Sequence, residues 1–283
     1  SPSAEVTDID EDGEDEVILK GEHLYAVIAP EHGGRLIYLF TLTPEGGALV
    51  VGNPTDDWNF QEELNRYMDH PPNHPGALAD AGFEHDRYLV SALSDGTHAW
   101  VEMTNVEESS RLFGTRKSVL LAPGHPALAA CYRMPERSGD LATETCLAPD
   151  YYRLLREGRL GLSPYNGESW RGFRNGDVAV WLGLAGDEET GWTEPARAEA
   201  GHGMNVRVRA DASHFHLLIS CGDTDEDSCQ QLLQEHRAAL DEIGERASTV
   251  HPRHNGFPAA SQRPLRVSSN DFLMCSGRKG ARG

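Results

Sequence analysis

The sequence predicts an all-β protein, an antiparallel sandwich with one conspicuous helix near residues 225–244. Three observations carry this expectation. Short apolar stretches recur at close intervals along the chain. Several of them alternate polar and apolar residues, as half-buried antiparallel strands do. Turns are plentiful, with 29 Gly and 16 Pro among 283 residues. That length suits one large β-domain or two ordinary ones and is ample for a core.

Taken in order, residues 1–16 are almost entirely polar and acidic and read as a loop ahead of a β-domain spanning 17–250. Val17–Leu19 and Leu24–Ile28 are apolar or β-branched runs, the second ending just before Pro30. Arg35–Leu42 alternates after the Gly33-Gly34 pair, and Ala48–Val51 follows the turn Pro44-Glu45-Gly46-Gly47. Further strands are expected at Arg87–Ala92, His98–Thr104, Arg116–Leu121, Leu128–Arg133, Val178–Leu184, Met204–Arg209 and His214–Ser220. The helix starts from Thr224 or Asp225 as N-cap, and Cys229, Leu232, Leu233, His236, Leu240 and Ile243 recur at helical spacing. Asp225, Glu226 and Asp227 suit its positive N-terminal end, and Gly244 is placed to stop it. A shorter helix is expected over Gln61–Met68. Residues 251–283 lose periodicity and read as a linker or a disordered tail.

Composition narrows the function. Acidic residues outnumber basic ones 45 to 25, for a formal charge of −20 and a pI near 5.0. Nucleic acid and anionic membrane surfaces both need basic patches, so neither is an expected partner. No apolar run approaches the roughly 20 residues of a membrane helix. Only Lys20, Lys117 and Lys279 are lysines, which fits either a high-salt surface or a GC-rich genome. The cysteines (Cys131, Cys146, Cys221, Cys229, Cys275) lack CxxC or framework spacing and read as reduced, favouring a reducing compartment such as the cytoplasm. The opening Ser1-Pro2-Ser3 suggests a segment of something longer.

The sharpest motif is Asp8-Ile9-Asp10-Glu11-Asp12-Gly13-Glu14-Asp15-Glu16. Carboxylates at alternate positions followed by a Gly let a short loop wrap one hard cation, and Ca²⁺ prefers such oxygen donors. An EF-hand needs Glu at the twelfth position, where Leu19 stands, so it is excluded. The shorter form closes with an acid at the ninth position, which Glu16 supplies. The expected ligands are Asp8, Asp10, Asp12 and Glu16 with the carbonyl of Glu14, holding a structural Ca²⁺; the plainer alternative is a solvated acidic leader. The Glu31-His32-Gly33-Gly34-Arg35-Leu36 stretch reads locally as a tight turn or bulge between strands.

The segment from Gly52 to Tyr88 mixes flat aromatics, carboxamides, acids and histidines, the set that a sugar site uses for stacking and hydroxyl recognition. The candidates are Asp57, Trp58, Asn59, Glu62, Arg66, Tyr67, His74, His85 and Asp86, with Trp170 in the loop Ser163–Phe173 as a further stacking platform. Core packing and ion pairs, such as Arg87 with Glu84, explain the same residues equally well. His70 and His74 have zinc-like spacing, but the intervening prolines preclude a helical ligand pair. Phosphate loops, GxSxG elbows and dinucleotide fingerprints are absent.

Asp8, Asp10, Asp12, Gly13 and Glu16, followed by Gly33, Gly34, Arg35, Leu36 and Leu39, resemble the β-rich domain on the C-terminal side of family 57 α-glucan-acting glycoside hydrolases. The likeness is specific over residues 6–42 and architectural to about 250. It implies a galactose-mutarotase-like antiparallel supersandwich associated with carbohydrate. The helix after His214–Ser220 also looks like the linker helix that follows supersandwich domains preceding an (α/α)₆ barrel. Neither the mutarotase Asn-His/Tyr-Phe-Asn segment nor a late Pro-Gly-Glu base occurs here, so no catalytic residue carries over. The leading expectation is a non-catalytic, carbohydrate-associated domain of an α-glucan-active hydrolase or glucanotransferase whose catalytic barrel is not in this chain. An aldose-1-epimerase-like isomerase using His and Glu from the 52–88 and 163–173 segments stands second. A scaffold that packs on a glycosidase barrel and binds no sugar stands third.

Overall fold

The computed structural model describes residues 1–9, 11–44, 46–52, 76–94, 98–135, 141–147, 163–168, 170–175, 178–186, 190–192, 197–199, 203–210, 213–221 and 226–249. In chain order the strands are β1 (Ser3–Thr7), β2 (Glu16–Lys20), β3 (Leu24–Ala29), β4 (Arg35–Thr43), β5 (Gly46–Val51), β6 (Ala79–Asp80), β7 (Tyr88–Leu93), β8 (Trp100–Asn105) and β9 (Arg116–Leu121). They continue as β10 (Ala127–Arg133), β11 (Leu141–Leu147), β12 (Ser163–Asn166), β13 (Trp170–Asn175), β14 (Val178–Ala185), β15 (Thr190–Trp192), β16 (Arg197–Glu199), β17 (Gly203–Ala210) and β18 (His214–Cys221). One helix follows, α1 (Glu226–Thr249).

The strands form two antiparallel sheets. One runs β1-β2-β3-β4-β5-β11-β17-β15, with β16 on β17 and β6 on β11; the other runs β12-β13-β14-β18-β10-β9-β8-β7. Alternation along each strand sends one set of side chains inward. Leu19, Ile28, Leu36 and Leu39 of the first sheet thus join Val101, Val119, Leu128, Phe215 and Ile219 of the second in one core. The all-β antiparallel sandwich is therefore as expected.

The second sheet is apolar on both faces across its centre. Leu120, Ala129 and Leu218 point away from the sandwich core and pack with Trp170 against Cys229, Leu232, Leu233 and Leu240 of α1. That covered outer face explains why these strands are near-continuous apolar runs, and why the helix keeps its amphipathic spacing.

Four expectations need correction. Residues 1–16 are not set apart from the β-domain, since Ser3–Thr7 pairs with Glu16–Lys20 and extends the first sheet. The stretch Ser163–Phe173, read as a loop, is largely a hairpin, β12 with β13, registered Ser163↔Arg174 to Asn166↔Arg171. Leu141–Leu147, for which no strand was expected, is a strand buried between partners and pairs with β17 along its whole length. The helix runs through Gly244 to Thr249: an interior Gly costs only about 1 kcal/mol, and the Glu-Arg-Ala that follows favours continuing the helix. The expected helix over Gln61–Met68 and the caps Thr224 and Asp225 lie outside the described residues.

Candidate functional site

The acidic loop closes on itself around Asp8. The amides of Asp12 and Gly13 donate to its two carboxylate oxygens at 3.2 and 3.0 Å, and the Glu14 amide donates to Asp12 Oδ1 at 2.8 Å. Glu11 (φ 62°) and Gly13 (φ 98°) adopt left-handed backbone to make the turn. The buried Glu16 carboxylate accepts the Ile9 amide at 3.0 Å, tying the end of the loop to its beginning. Asp10 lies outside the described residues.

This loop docks on the Gly-Gly turn. Glu14 Oε2 meets His32 Nε2 at 2.5 Å, so the Glu14 side chain is directed to histidine. The turn beneath is forced by close approaches. Gly33 (φ 76°) donates its amide to the Asp86 carbonyl at 2.7 Å, and Gly34 (φ 57°) lies so near Tyr88 that a Cβ would sit 3.1 Å from the ring. Arg35, buried, donates Nε to the His32 carbonyl at 2.9 Å; burial lowers its pKa and the Glu84 carboxylate opposes that. His85 is exposed and lies edge-on to His32, ring centroids 6.3 Å apart. Asp86 is buried, its carboxylate taking Asn105 Nδ2 at 2.7 Å, so it holds the turn instead of facing a ligand.

Behind the turn, between the sheets, sits a closed polar knot. The fully buried ammonium of Lys117 donates to the Gly33 carbonyl at 2.7 Å and the Leu78 carbonyl at 3.0 Å and is ion-paired with Asp80 Oδ2 at 2.7 Å. It also lies over the rings of Tyr88 and Tyr132, at 4.8 and 5.0 Å. Asp80 Oδ1 accepts Tyr132 OH at 3.1 Å and Thr143 Oγ1 at 2.7 Å. Burial pushes the Lys117 pKa down and Asp80 opposes it; burial raises both tyrosines.

A second polar cluster lies on the outer face of the eight-stranded sheet. Register places Glu102, Ser118, Cys131 and His216 in one row across β8, β9, β10 and β18, and Arg116, Arg133 and His214 in the next. Asp241 reaches this surface from α1. Its Oδ1 lies 3.2 Å from His214 Nε2, 3.3 Å from His216 Nε2 and 2.9 Å from Arg133 NH2, while Cys131 Sγ is 3.2 Å from His214 Nε2. Burial and the neighbouring His214 push the His216 pKa down to about 4, against the pull of Asp241. Burial pushes the Cys131 thiol up to about 12, with Arg133 opposing.

Of the residues singled out from sequence, Asp8, Asp12, Glu14 and Glu16 are linked along the acidic loop by backbone hydrogen bonds, and His85 and Asp86 belong to the segment that packs on the Gly-Gly turn. Trp170 does not serve as a stacking platform: it is buried, donates Nε1 to Gln230 Oε1 at 3.0 Å and packs beneath α1, because the small Gly183 opposite leaves room for its ring. Asp57, Trp58, Asn59, Glu62, Arg66, Tyr67 and His74 lie outside the described residues. Sequence reading missed the outer cluster. One signal existed, His214-x-His216 in a strand, which alternation places on one face.

No known family and no curated protein matches the chain by sequence. Among solved structures, a 4-alpha-glucanotransferase from Thermococcus litoralis aligns at 13% identity and TM-score 0.47, over 79% of this chain and 40% of that one. YidC from Thermotoga maritima aligns at 11% identity and TM-score 0.43, over 88% and 58%. The Slr1438 protein from Synechocystis sp. PCC 6803 aligns at 9% identity and TM-score 0.50, over 77% of this chain and 99% of that one. The chain thus spans less than two thirds of the glucanotransferase and of YidC. What is shared with the Synechocystis protein is the fold.

Proposed function

We propose that this chain is a non-catalytic, carbohydrate-associated domain of galactose-mutarotase-like type, working beside the catalytic barrel of an α-glucan-active enzyme and holding a structural Ca²⁺ in its acidic loop. The observation that carries the reading is the Glu14–His32 contact at 2.5 Å. It joins the acidic loop and the Gly-Gly-Arg turn, the two motifs on which the resemblance to family 57 domains rests, into one folded unit. The oxygen-rich donor set of Asp8, Asp12 and Glu16, wrapped by left-handed backbone at Glu11 and Gly13, suits a hard cation. Such an ion would pin the loop and take no part in chemistry.

The described residues include an aromatic strip suited to stacking. Tyr25, Tyr38 and Phe40 are half-buried on the ten-stranded sheet, with Tyr38 and Phe40 stacked at 6.0 Å and Tyr25 and Phe40 at 6.4 Å. Isothermal titration with maltooligosaccharides should give weak binding that falls on Trp58→Ala or Tyr38→Ala. Heatless injections for every glucan tried would remove the binding reading and leave the scaffold. Ca²⁺ should raise the melting temperature, and Asp10→Ala should abolish the rise. Accelerated mutarotation of fresh α-glucose, followed by polarimetry, would instead establish the isomerase.

A further inference from the structure

We infer that Cys131, His214, His216 and Asp241 form a zinc site that clamps helix α1 to the outer face of the eight-stranded sheet. The four ligand atoms, one from each residue, all lie within 4.8 Å of one another. Bond lengths of about 2.0–2.3 Å at a tetrahedral zinc require ligand atoms roughly 3.3–3.6 Å apart. Three of the pairs already stand within about 0.4 Å of that spacing: Cys131 Sγ to His214 Nε2 at 3.2 Å, His214 Nε2 to Asp241 Oδ1 at 3.2 Å and His216 Nε2 to Asp241 Oδ1 at 3.3 Å. The remaining pairs, none more than 4.8 Å apart, need to close by up to about 1.5 Å, within the reach of side-chain torsions.

The arrangement follows from β-sheet geometry. His214 and His216, two residues apart on β18, share a face. Cys131 is registered directly opposite His216 on the neighbouring strand, which sets its Sγ beside the two rings. Asp241 completes the set from above, one residue beyond the helix's buried Leu240. Three elements therefore converge, and a ligand held among them would couple the helix to two central strands.

The donor chemistry selects the ion. One thiol, two imidazoles and one carboxylate match zinc; Ca²⁺ and Mg²⁺ favour all-oxygen shells. Neutral imidazoles are the ligating form. A coordinating thiol loses its proton to solvent on binding. Arg133, which reaches both Asp241 Oδ1 at 2.9 Å and the Leu240 carbonyl at 3.2 Å, then serves as the outer partner that orients the carboxylate. The plainer alternative is a metal-free tether in which both imidazoles and Arg133 donate to Asp241. The two readings diverge on titration with metal.

The full chain, stripped with chelator, should bind one equivalent of Zn²⁺ and melt about 5 °C or more higher with it. Co²⁺ in its place should give the intense visible bands of a tetrahedral site and a thiolate-to-cobalt charge-transfer band. Cys131→Ser should remove the charge-transfer band and weaken Zn²⁺ at least about tenfold, whereas Cys229→Ser should leave both unchanged. Asp241→Asn, which keeps the side-chain shape, should weaken binding while far-ultraviolet circular dichroism stays constant. Absence of stoichiometric zinc binding, or a zinc response identical in wild type and Cys131→Ser, would overturn the site and leave the tether. Neither result touches the glucan or Ca²⁺ titrations, which probe the other sheet and the acidic loop.

Discussion

Cys131 and Tyr132 are neighbours on β10, and alternation sends them into two very different polar clusters on opposite faces of one sheet. Tyr132 faces the sandwich interior, where Lys117, Asp80 and Thr143 are buried and the ammonium is held by two backbone carbonyls and a carboxylate. Cys131 faces outward, where Asp241 and His214 are about a third exposed and three cationic or imidazole groups converge on one carboxylate oxygen. The inner cluster is complete without a ligand and is sealed from water, so it holds the sheets in register. The outer one converges donors whose lone pairs a cation could use. Burial alone does not mark a functional cluster; what separates the two is whether the groups satisfy one another.

The largest test of that distinction falls on the inner knot. Asp80→Ala leaves the Lys117 ammonium buried without its counter-ion and should cost about 3–5 kcal/mol in chemical denaturation. Replacing both partners, Asp80→Leu with Lys117→Met, should recover most of the loss, because apolar groups need no partner. A single variant within about 1 kcal/mol of wild type would mean that the knot is not what joins the sheets.

The next effect bears on the outer face. A methyl on Gly183 would overlap the Trp170 ring, which has no room to move beneath α1. Gly183→Ala should therefore cost about 1–3 kcal/mol through overpacking, and should loosen the helix enough to speed amide exchange along it. Unchanged exchange in α1 would show that the helix is anchored elsewhere.

The smallest effect is a pH dependence. His236, buried on α1 with Nδ1 2.8 Å from the Leu232 carbonyl, has its pKa lowered, chiefly by burial and then by His125, with the Leu232 carbonyl and Glu235 opposing. The folded state thus takes up a proton less readily than the unfolded one. Its contribution is complete above the ordinary histidine value of about 6.5 and is lost as pH falls below it. His236→Leu should flatten that acid limb in a series of melts. An equally steep limb in the variant would place the titration on other groups.

Much of the fold was legible in the chain. Leu24–Ile28, Arg116–Leu121 and Leu128–Arg133 announce themselves by apolar runs bounded by turn residues, and they occupy β3, β9 and β10 within a residue or so. The helix was legible from Cys229, Leu232, Leu233 and Leu240, which do pack on the sheet. Strands of mixed character were not: Leu141–Leu147 interleaves threonine, glutamate and cysteine, and is a strand because β17 pairs with it along its length. The acidic loop could be named from its spacing, yet nothing in the spacing says that Glu14 turns to His32. Trp170 looked like a platform because a glycine-rich context resembles an exposed loop; Gly183, opposite it on the neighbouring strand β14, instead makes the hole that buries it.

By itself the sequence determined the class of architecture, the place of the helix and the acidic loop with its turn, because these rest on local periods and short-range backbone preferences. Tertiary structure alone decided which side chains meet. Lys117 finds Asp80 and Gly33 across the sandwich, and Cys131 finds His214 and Asp241 across 83 and 110 positions, because strand order and register are set by the burial of a common core. A pairwise spacing holds no record of that global choice.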